Sequence, residues 1–408
     1  MTTQETMPPG LIRLGKIGGV LAVLGTLAFL GGMMVMKGPE GFDQKLFWQA
    51  YFFGWLMWTC YGIGCFGLML LQTVVRSKWG YSVMRLFEAG AKILPIMGIL
   101  LIPILLVGAK FLWPWADEAM VKESAVLTHR HGMMNVPAVA IRSLFYFAFW
   151  TFYTVILTRW AKLQDETGNL EYAQQRSNMA AFGILLHIII VTFAMLDWVM
   201  SLEPEWYSTI YGVWFVIAQS MSAMGLVTLI GSRGYAADRA PWTRETITDA
   251  VRKDWGNMLL MLTMVWAYFS LSQWLIIWNG NLPQEIVFYI HRFQGLWLYV
   301  GAFIVIFQFF VPFLALLSGK TKRYPGLLSM VAFWLMFMRL VDLCWQVLPI
   351  FHGAQDRIGS PGVVVLALCA AVAFGGLWFA LFVNFLSKNP LLPAPQFVNG
   401  YREVTHHA

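Results

Sequence analysis

Charge is what this 408-residue chain has least of: Asp, Glu, Lys and Arg together make up 12% of it, about half the share of a water-soluble domain. That scarcity excludes an ordinary soluble globular fold. Cysteine is equally sparse, with four in all. Cys60, Cys65, Cys344 and Cys369 lie in apolar stretches and form no CxxC pair, which argues against a disulfide framework, a zinc site or an iron–sulfur site. No CxxCH occurs, so a c-type haem is excluded. Of the seven histidines, His187 alone falls near the centre of an apolar run. His129, His131, His291 and His352 sit at or beyond run ends, and His406 and His407 close the chain. A b-type haem needs two imidazoles at matching depth, so the chain is expected to bind no redox metal or other cofactor of its own.

What is present is hydrophobic: 59% of the residues are hydrophobic and 16% of all residues are aromatic, with a mean hydropathy of +0.63. Apolar runs of about twenty residues, enough to cross a roughly 30 Å hydrocarbon core as helix, predict ten transmembrane helices. They fall near residues 17–36, 47–72, 92–113, 137–158, 179–201, 208–230, 257–278, 294–317, 326–348 and 362–386. The runs are too long for barrel strands and do not alternate. The fold class is therefore an all-α polytopic membrane protein, one integral domain over 1–408. The first run is read as a span and not a signal peptide, because Lys37, Gly38 and Pro39 follow it without a small-residue cleavage pattern. Pro95 and Pro103 are expected to bend the third.

Most of the 28 Lys and Arg fall in the N-terminus, the loops after even-numbered runs and the C-terminal tail, which places both termini in the cytoplasm. The net charge of +7 then reflects topology and attraction for anionic lipid; no nucleic-acid partner is implied.

Ionisable residues inside apolar runs are costly and persist when paired, hydrated or functional. Arg142 lies about one and a half turns into the fourth run, Asp197 and Glu203 close the fifth, His291 and Arg292 open the eighth, and Arg339 and Asp342 lie in the outer half of the ninth. All share the outer half of the membrane. Arg142 and Asp197 come from different runs and are expected to meet across a bundle, while Arg339 and Asp342, three apart, share a helix face and can simply pair locally. Such a cluster suits outward proton relay, and His187, Asp197, Glu203, Arg142, Arg339 and Asp342 form the candidate path. For His187 the plainer alternative is a neutral, hydrogen-bonded core histidine. The inner half is poorer: Glu88 and Lys92 at the start of the third run, and hydroxyl or amide groups such as Tyr153, Thr192, Ser220, Asn257 and Gln308.

Two connections stand out. The outer segment from Trp113 to Arg142 places Trp113 and Trp115 in the interfacial belt and then reads as a surface-lying helical stretch, either docking another protein or simply resting at the interface. The inner loop from Arg233 to Asp254 mixes both signs and reads as a solvated turn with a short helix capped near Thr246 or Thr248.

The strings FAMLDWVMSLEPEWYSTIYGVWF, KDWGNMLLMLTMVWAYFSLSQWLIIWNGNLPQEIVFYIHR and FMRLVDLCWQVLP resemble the polysulfide-reductase or NrfD-like membrane subunits of bacterial alternative complex III, a quinol:electron acceptor oxidoreductase. The likeness runs from the second span through the ninth. LPIMGILLIPILLVGAKFLWPWADEAMV and NVPAVAIRSLFYFAFW are more similar to the smaller of its two such subunits, the second quinone-binding subunit. The resemblance implies two four-helix bundles, spans 2 to 5 (47–201) and 6 to 9 (208–348), flanked by spans 1 and 10. It also implies a bacterial inner membrane, quinol or menaquinol in the complex, a paralogous NrfD-like partner, an iron–sulfur and molybdopterin-like subunit on the outer face, and c-type cytochrome subunits carrying haem. The larger subunits resemble a GIGHAG pattern where this chain reads GIGCFG, with Cys65 at the histidine's place. A thiol is a poor acceptor for a quinol proton and an imidazole a good one, so quinol oxidation is expected in the paralogue, and quinone-binding residues of this chain stay unassigned.

Three functions remain in play: a respiratory membrane subunit that anchors the complex and conducts protons, a direct quinol-binding subunit, and a stand-alone secondary transporter. The third lacks the paired, Gly- or Pro-broken spans expected at a midplane site.

Overall fold

The computed structural model describes residues 7–36, 43–237, 241–351 and 361–393, all-helical with no strand among them. Lys37, Gly38, Pro39, His352, His406 and His407 lie outside the described residues. Among the described residues, ten helices are long and apolar enough to cross a membrane: Pro9–Val35, Gln44–Val75, Met84–Leu112, Val136–Thr167, Glu171–Leu202, Tyr211–Ala236, Asp249–Gly280, Leu296–Leu317, Pro325–Phe351 and Gly362–Leu386, here spans 1 to 10. Several outrun the expected boundaries. Spans 2, 4 and 7 have 32 residues each, about 48 Å of helix, so their ends extend past a hydrocarbon core and carry charged side chains that the hydropathy pattern assigned to loops.

Local chemistry sets the ends. Asp43 Oδ1 accepts from Leu46 N–H at 3.0 Å and opens span 2; Asn135 Oδ1 accepts from Ala138 N–H at 2.9 Å, with Pro137 in the first turn, and opens span 4. These side-chain oxygens satisfy amides that have no intrahelical partner. Gly168 closes span 4 at φ 71°, and Gly295 precedes span 8 at φ 55°; both are backbone states that a Cβ disfavours.

Span 2 is the hub, packed on spans 3, 5, 6 and 10, while span 1 rests chiefly on span 10. Glycines make the close approaches possible. A Cβ at Gly64 would stand 2.1 Å from the backbone oxygen of Gln219, and one at Gly376 would stand 2.2 Å from Ala22 N. The GIGCFG stretch is thus a packing seam: Gly62 meets Leu94, Gly64 meets span 6, and buried Cys65 faces Gly90. The outer faces are apolar, as Ile141, Leu144, Phe145, Phe152 and Val155 on span 4 illustrate, which suits lipid.

Two spans contain π-helical turns, Ile104–Gly108 after Pro103 and Val305–Phe310 before Pro312. Proline has no N–H for the carbonyl four residues earlier, which for Pro312 is the carbonyl of Gln308. The widened turn accommodates that loss.

Two connections differ from expectation. Trp113 and Trp115 are buried within the protein: the rings stack at 5.2 Å, and Trp113 Nε1–H donates to Trp198 O at 3.0 Å. The segment beyond them folds back as Glu118–Glu123 and Ala125–Arg130, tied down by Arg130 Nη1–H to Pro204 O at 2.6 Å. The inner loop is not merely solvated. Trp242 is buried and donates to Ser82 O at 2.9 Å, and Thr248 caps span 7 itself.

Candidate functional site

The connections 113–135, 203–210 and 281–295 lie at one face of the molecule, and three polar groupings lie beneath it. The first joins spans 4 and 5. Arg142 holds Asp197 through two parallel bonds, Nε to Oδ2 at 2.8 Å and Nη2 to Oδ1 at 2.9 Å, and Tyr146 O–H adds a third donor to Oδ2 at 2.8 Å. Arg142 Nη1–H also donates to Met133 O at 2.9 Å, fixing the incoming loop. The Asp197 side chain is 4% exposed and that of Arg142 27%. The carboxylate is therefore charge-compensated and well supplied with donors, a stable form of bidentate pair.

The second grouping centres on Glu203, which is buried just beyond span 5. Arg292, wholly buried, places Nη1 3.1 Å from Glu203 Oε2, donates the same nitrogen to Phe288 O at 2.7 Å, and lies 3.5 Å over the Phe288 ring. His291 Nδ1 stands 2.8 Å from Glu203 Oε1, and its side chain is 42% exposed. Glu203 thus links a buried guanidinium to an imidazole that reaches the surface.

The third is the deepest. Arg339 and Asp342, one helical turn apart on span 9, form a close ion pair with both side chains 1% exposed. Gln346 Nε2–H donates to Asp342 Oδ1 at 3.0 Å, and the backbone oxygen of Gln346 accepts from Arg292 Nη2 at 2.5 Å. The second and third groupings are therefore continuous. Arg339 also lies beside Cys60, whose sulfur accepts from Gln219 Nε2 at 3.5 Å, where spans 2, 6 and 9 meet.

Gln308, assigned from the sequence to the inner half, belongs to this deep grouping: it faces Asp342 from the π turn of span 8 and is fully buried. Both polar atoms of its amide lack a hydrogen-bond partner, as do Arg339 Nε and Nη2 and Gln346 Oε1. A buried polar atom left unpaired costs about 1–3 kcal/mol. Five such atoms lie on three side chains gathered around Asp342, with Gln308 approaching its carboxylate and Arg339 approaching Cys60.

His187 joins none of these groupings. Trp150 Nε1–H donates to its Nδ1 at 3.3 Å, Phe66 packs on its ring at 5.1 Å, and Nε2 faces Gly67. An accepting Nδ1 makes the neutral Nε2–H tautomer the consistent one.

The opposite face is richer than the sequence suggested. Glu88 is 2% exposed and Arg85 6%. Arg85 Nη1 lies 2.6 Å from Glu88 Oε2, its Nη2 pairs closely with Asp165, and Arg176 Nη2 is 3.6 Å from Glu88 Oε1. These residues, with Gln72, Thr73 and Gln164, line a cavity of about 20 Å³, room for about one water. The signal was present in the i,i+3 pair of Arg85 and Glu88. Arg85, Asp165 and Arg176 fall on helix ends beyond the uniformly apolar runs, where a charge does not stand out from its neighbours. Among the other inner groups, Asn257 Oδ1 accepts from Lys322 Nζ at 2.8 Å, and Thr192 bonds its own helix at Ile188 O.

Among the described residues, no group of three or more His, Cys, Asp or Glu is placed to hold a metal ion. No protein-family model matches the chain, and no curated protein matches it.

Proposed function

We propose that this chain is an NrfD-like membrane subunit of a bacterial alternative complex III, a respiratory quinol:electron acceptor oxidoreductase, where it anchors the assembly and conducts protons. The observation that carries the reading is the run of charged and hydrogen-bonded groups from half-exposed His291 through Glu203, Arg292 and Gln346 to fully buried Asp342 and Arg339. Intramembrane ionisable groups in contact with one another and with the surface are characteristic of proton relays.

The order of contacts supports the family architecture. Spans 2, 3, 4 and 5 pack in a closed ring, as do spans 6, 7, 8 and 9; spans 2 and 5 join span 6, and the pair of spans 1 and 10 lies outside against span 2. This is the order expected of two four-helix bundles flanked by the first and last spans. The residue at the family's quinol histidine supports placing quinol oxidation in the paralogous subunit: Cys65 is wholly buried, and a Cβ at Gly90 would lie 2.5 Å from its sulfur, leaving no room for a headgroup.

Within this reading the six candidate residues divide. Glu203, Arg339 and Asp342 form the path; Arg142 and Asp197 form a clamp on the outer loop; His187 packs the core. Iron–sulfur, molybdopterin-like and c-type haem subunits are the partners in this proposal, with the bacterial inner membrane as location and both termini cytoplasmic. Affinity purification of the tagged chain from a bacterium that expresses it tests the assembly. Iron–sulfur and c-type haem subunits that co-purify in fixed ratio support it; isolation of the chain alone in active form, transporting a solute, contradicts it.

A further inference from the structure

Three fully buried side chains from two neighbouring spans turn unsatisfied polar atoms toward one another's surroundings: Arg339 Nε and Nη2, Gln346 Oε1, and both amide atoms of Gln308. They supply donors and acceptors together, and a buried water typically makes two to four hydrogen bonds to groups of this kind. Cys60 and the Phe215 ring stand beside Arg339, and Gln308 approaches the Asp342 carboxylate, so water would join these contacts and not replace empty packing. The π turn at Val305–Phe310 sets Gln308 where it faces Asp342, and Pro312 leaves the Gln308 carbonyl without its usual helical donor. Tyr211, fully buried at the start of span 6, lies within electrostatic reach of Glu203, Arg292, Arg339 and Asp342 at once.

We propose that Arg339, Gln308 and Gln346 bind a short file of ordered water in the second half of the chain, which passes protons to Asp342 and on through Tyr211 to Glu203 and His291. The inference rests on the proton-conducting function proposed above and assigns that function to one set of residues. Each part follows from its chemistry. A guanidinium and an amide orient water without titrating, so Arg339 and Gln308 fix the file beside the Asp342 carboxyl group. A carboxylate, a phenol and an imidazole each accept one proton on one face and release one on another. Asp342 is buried and His291 is the most exposed of the four, Glu203 contacts His291 directly, and Tyr211 lies within electrostatic reach of both carboxylates. The π turn supplies the inner end, because it is where the helix offers a carbonyl and an amide side chain at the same level.

The test uses the intact purified complex reconstituted in proteoliposomes, with proton release per electron measured for wild type, Gln308→Leu, Tyr211→Phe and Asp342→Asn. Gln308→Leu replaces the amide by an apolar group of similar size, and Tyr211→Phe removes one oxygen, so subunit composition is expected to be unchanged. Proton release is expected to fall at least fivefold in all three variants. Water density bonded to Gln308 and Arg339 is expected in a cryo-electron-microscopy map of the wild type. If Asp342→Asn loses proton release while Gln308→Leu and Tyr211→Phe keep it, the water file is wrong and the proton-conducting function stands. A map in which Gln308 and Arg339 bond each other directly, without water, overturns the file as well. If all three variants keep wild-type release, the proton-conducting function falls with it.

Discussion

Arg142 and Asp197, fifty-five positions apart and on different spans, meet in a bidentate pair of 2.8 and 2.9 Å that also receives the hydroxyl of Tyr146. That carboxylate receives three hydrogen bonds and is 4% exposed, and the guanidinium reaches on to Met133 O in the neighbouring loop. The pair closes the gap between spans 4 and 5 beneath the outer connection. Removing one member of a buried pair commonly costs ~3–5 kcal/mol, and the partial water access of Arg142 reduces this. Asp197→Ala is expected to lower stability by about 2–3 kcal/mol and Tyr146→Phe by about 1 kcal/mol. Thermal unfolding in detergent micelles checks both; equal midpoints for Asp197→Ala and wild type contradict the clamp.

The opposite face holds a tighter cluster. Glu88 lies between Arg85 and Arg176, with all three side chains less than a tenth exposed. Glu88→Gln removes the carboxylate that Arg85 and Arg176 share beside a cavity of about 20 Å³, leaving Arg85 on Asp165 and Arg176 on Gln164, and is expected to cost about 2–3 kcal/mol. A double-mutant cycle between Glu88 and Arg176 should return a coupling of at least about 1 kcal/mol; additivity would mean that the 3.6 Å contact is incidental.

Helix seams are tested by glycine. Gly64→Ala sets a methyl 2.1 Å from the Gln219 backbone oxygen, which only a shift of span 2 or span 6 can relieve, whereas Gly31 has nothing within 4 Å. Overpacking of this kind costs about 1–3 kcal/mol or more, so Gly64→Ala should lose folded yield by size-exclusion chromatography. Gly31→Ala should be neutral or slightly stabilising.

His187 separates the core reading from the relay. Its described partners are an indole N–H and aromatic faces, with no carboxylate. His187→Leu is expected to leave proton release per electron within about twofold of wild type. A loss comparable with that of Asp342→Asn would restore the imidazole to the path.

Hydrophobic runs made the ten spans legible because burial in lipid imposes length and apolarity on each helix separately. The same logic singled out Arg142, Asp197, Arg339 and Asp342, since a charge within such a run stands out locally. Two things were not legible. Charges on helix ends, such as Arg85, Asp165 and Arg176, look like loop residues until the helix is known to continue. Gln308 carries no charge, and its importance comes from the π turn and from side chains more than thirty positions away. Trp113 and Trp115 show a third limit: the sequence marks two rings near a span end but not that the chain covers both.

The central claim is that Asp342 and its neighbours carry protons for an electron-transfer complex. Proton release per electron, measured together with quinol oxidation on the same reconstituted complex for wild type and Asp342→Asn, tests it most directly. Oxidation that continues while proton release falls at least fivefold is the predicted result. Proton release that stays at the wild-type ratio, with Asp342→Asn fully assembled, would contradict it.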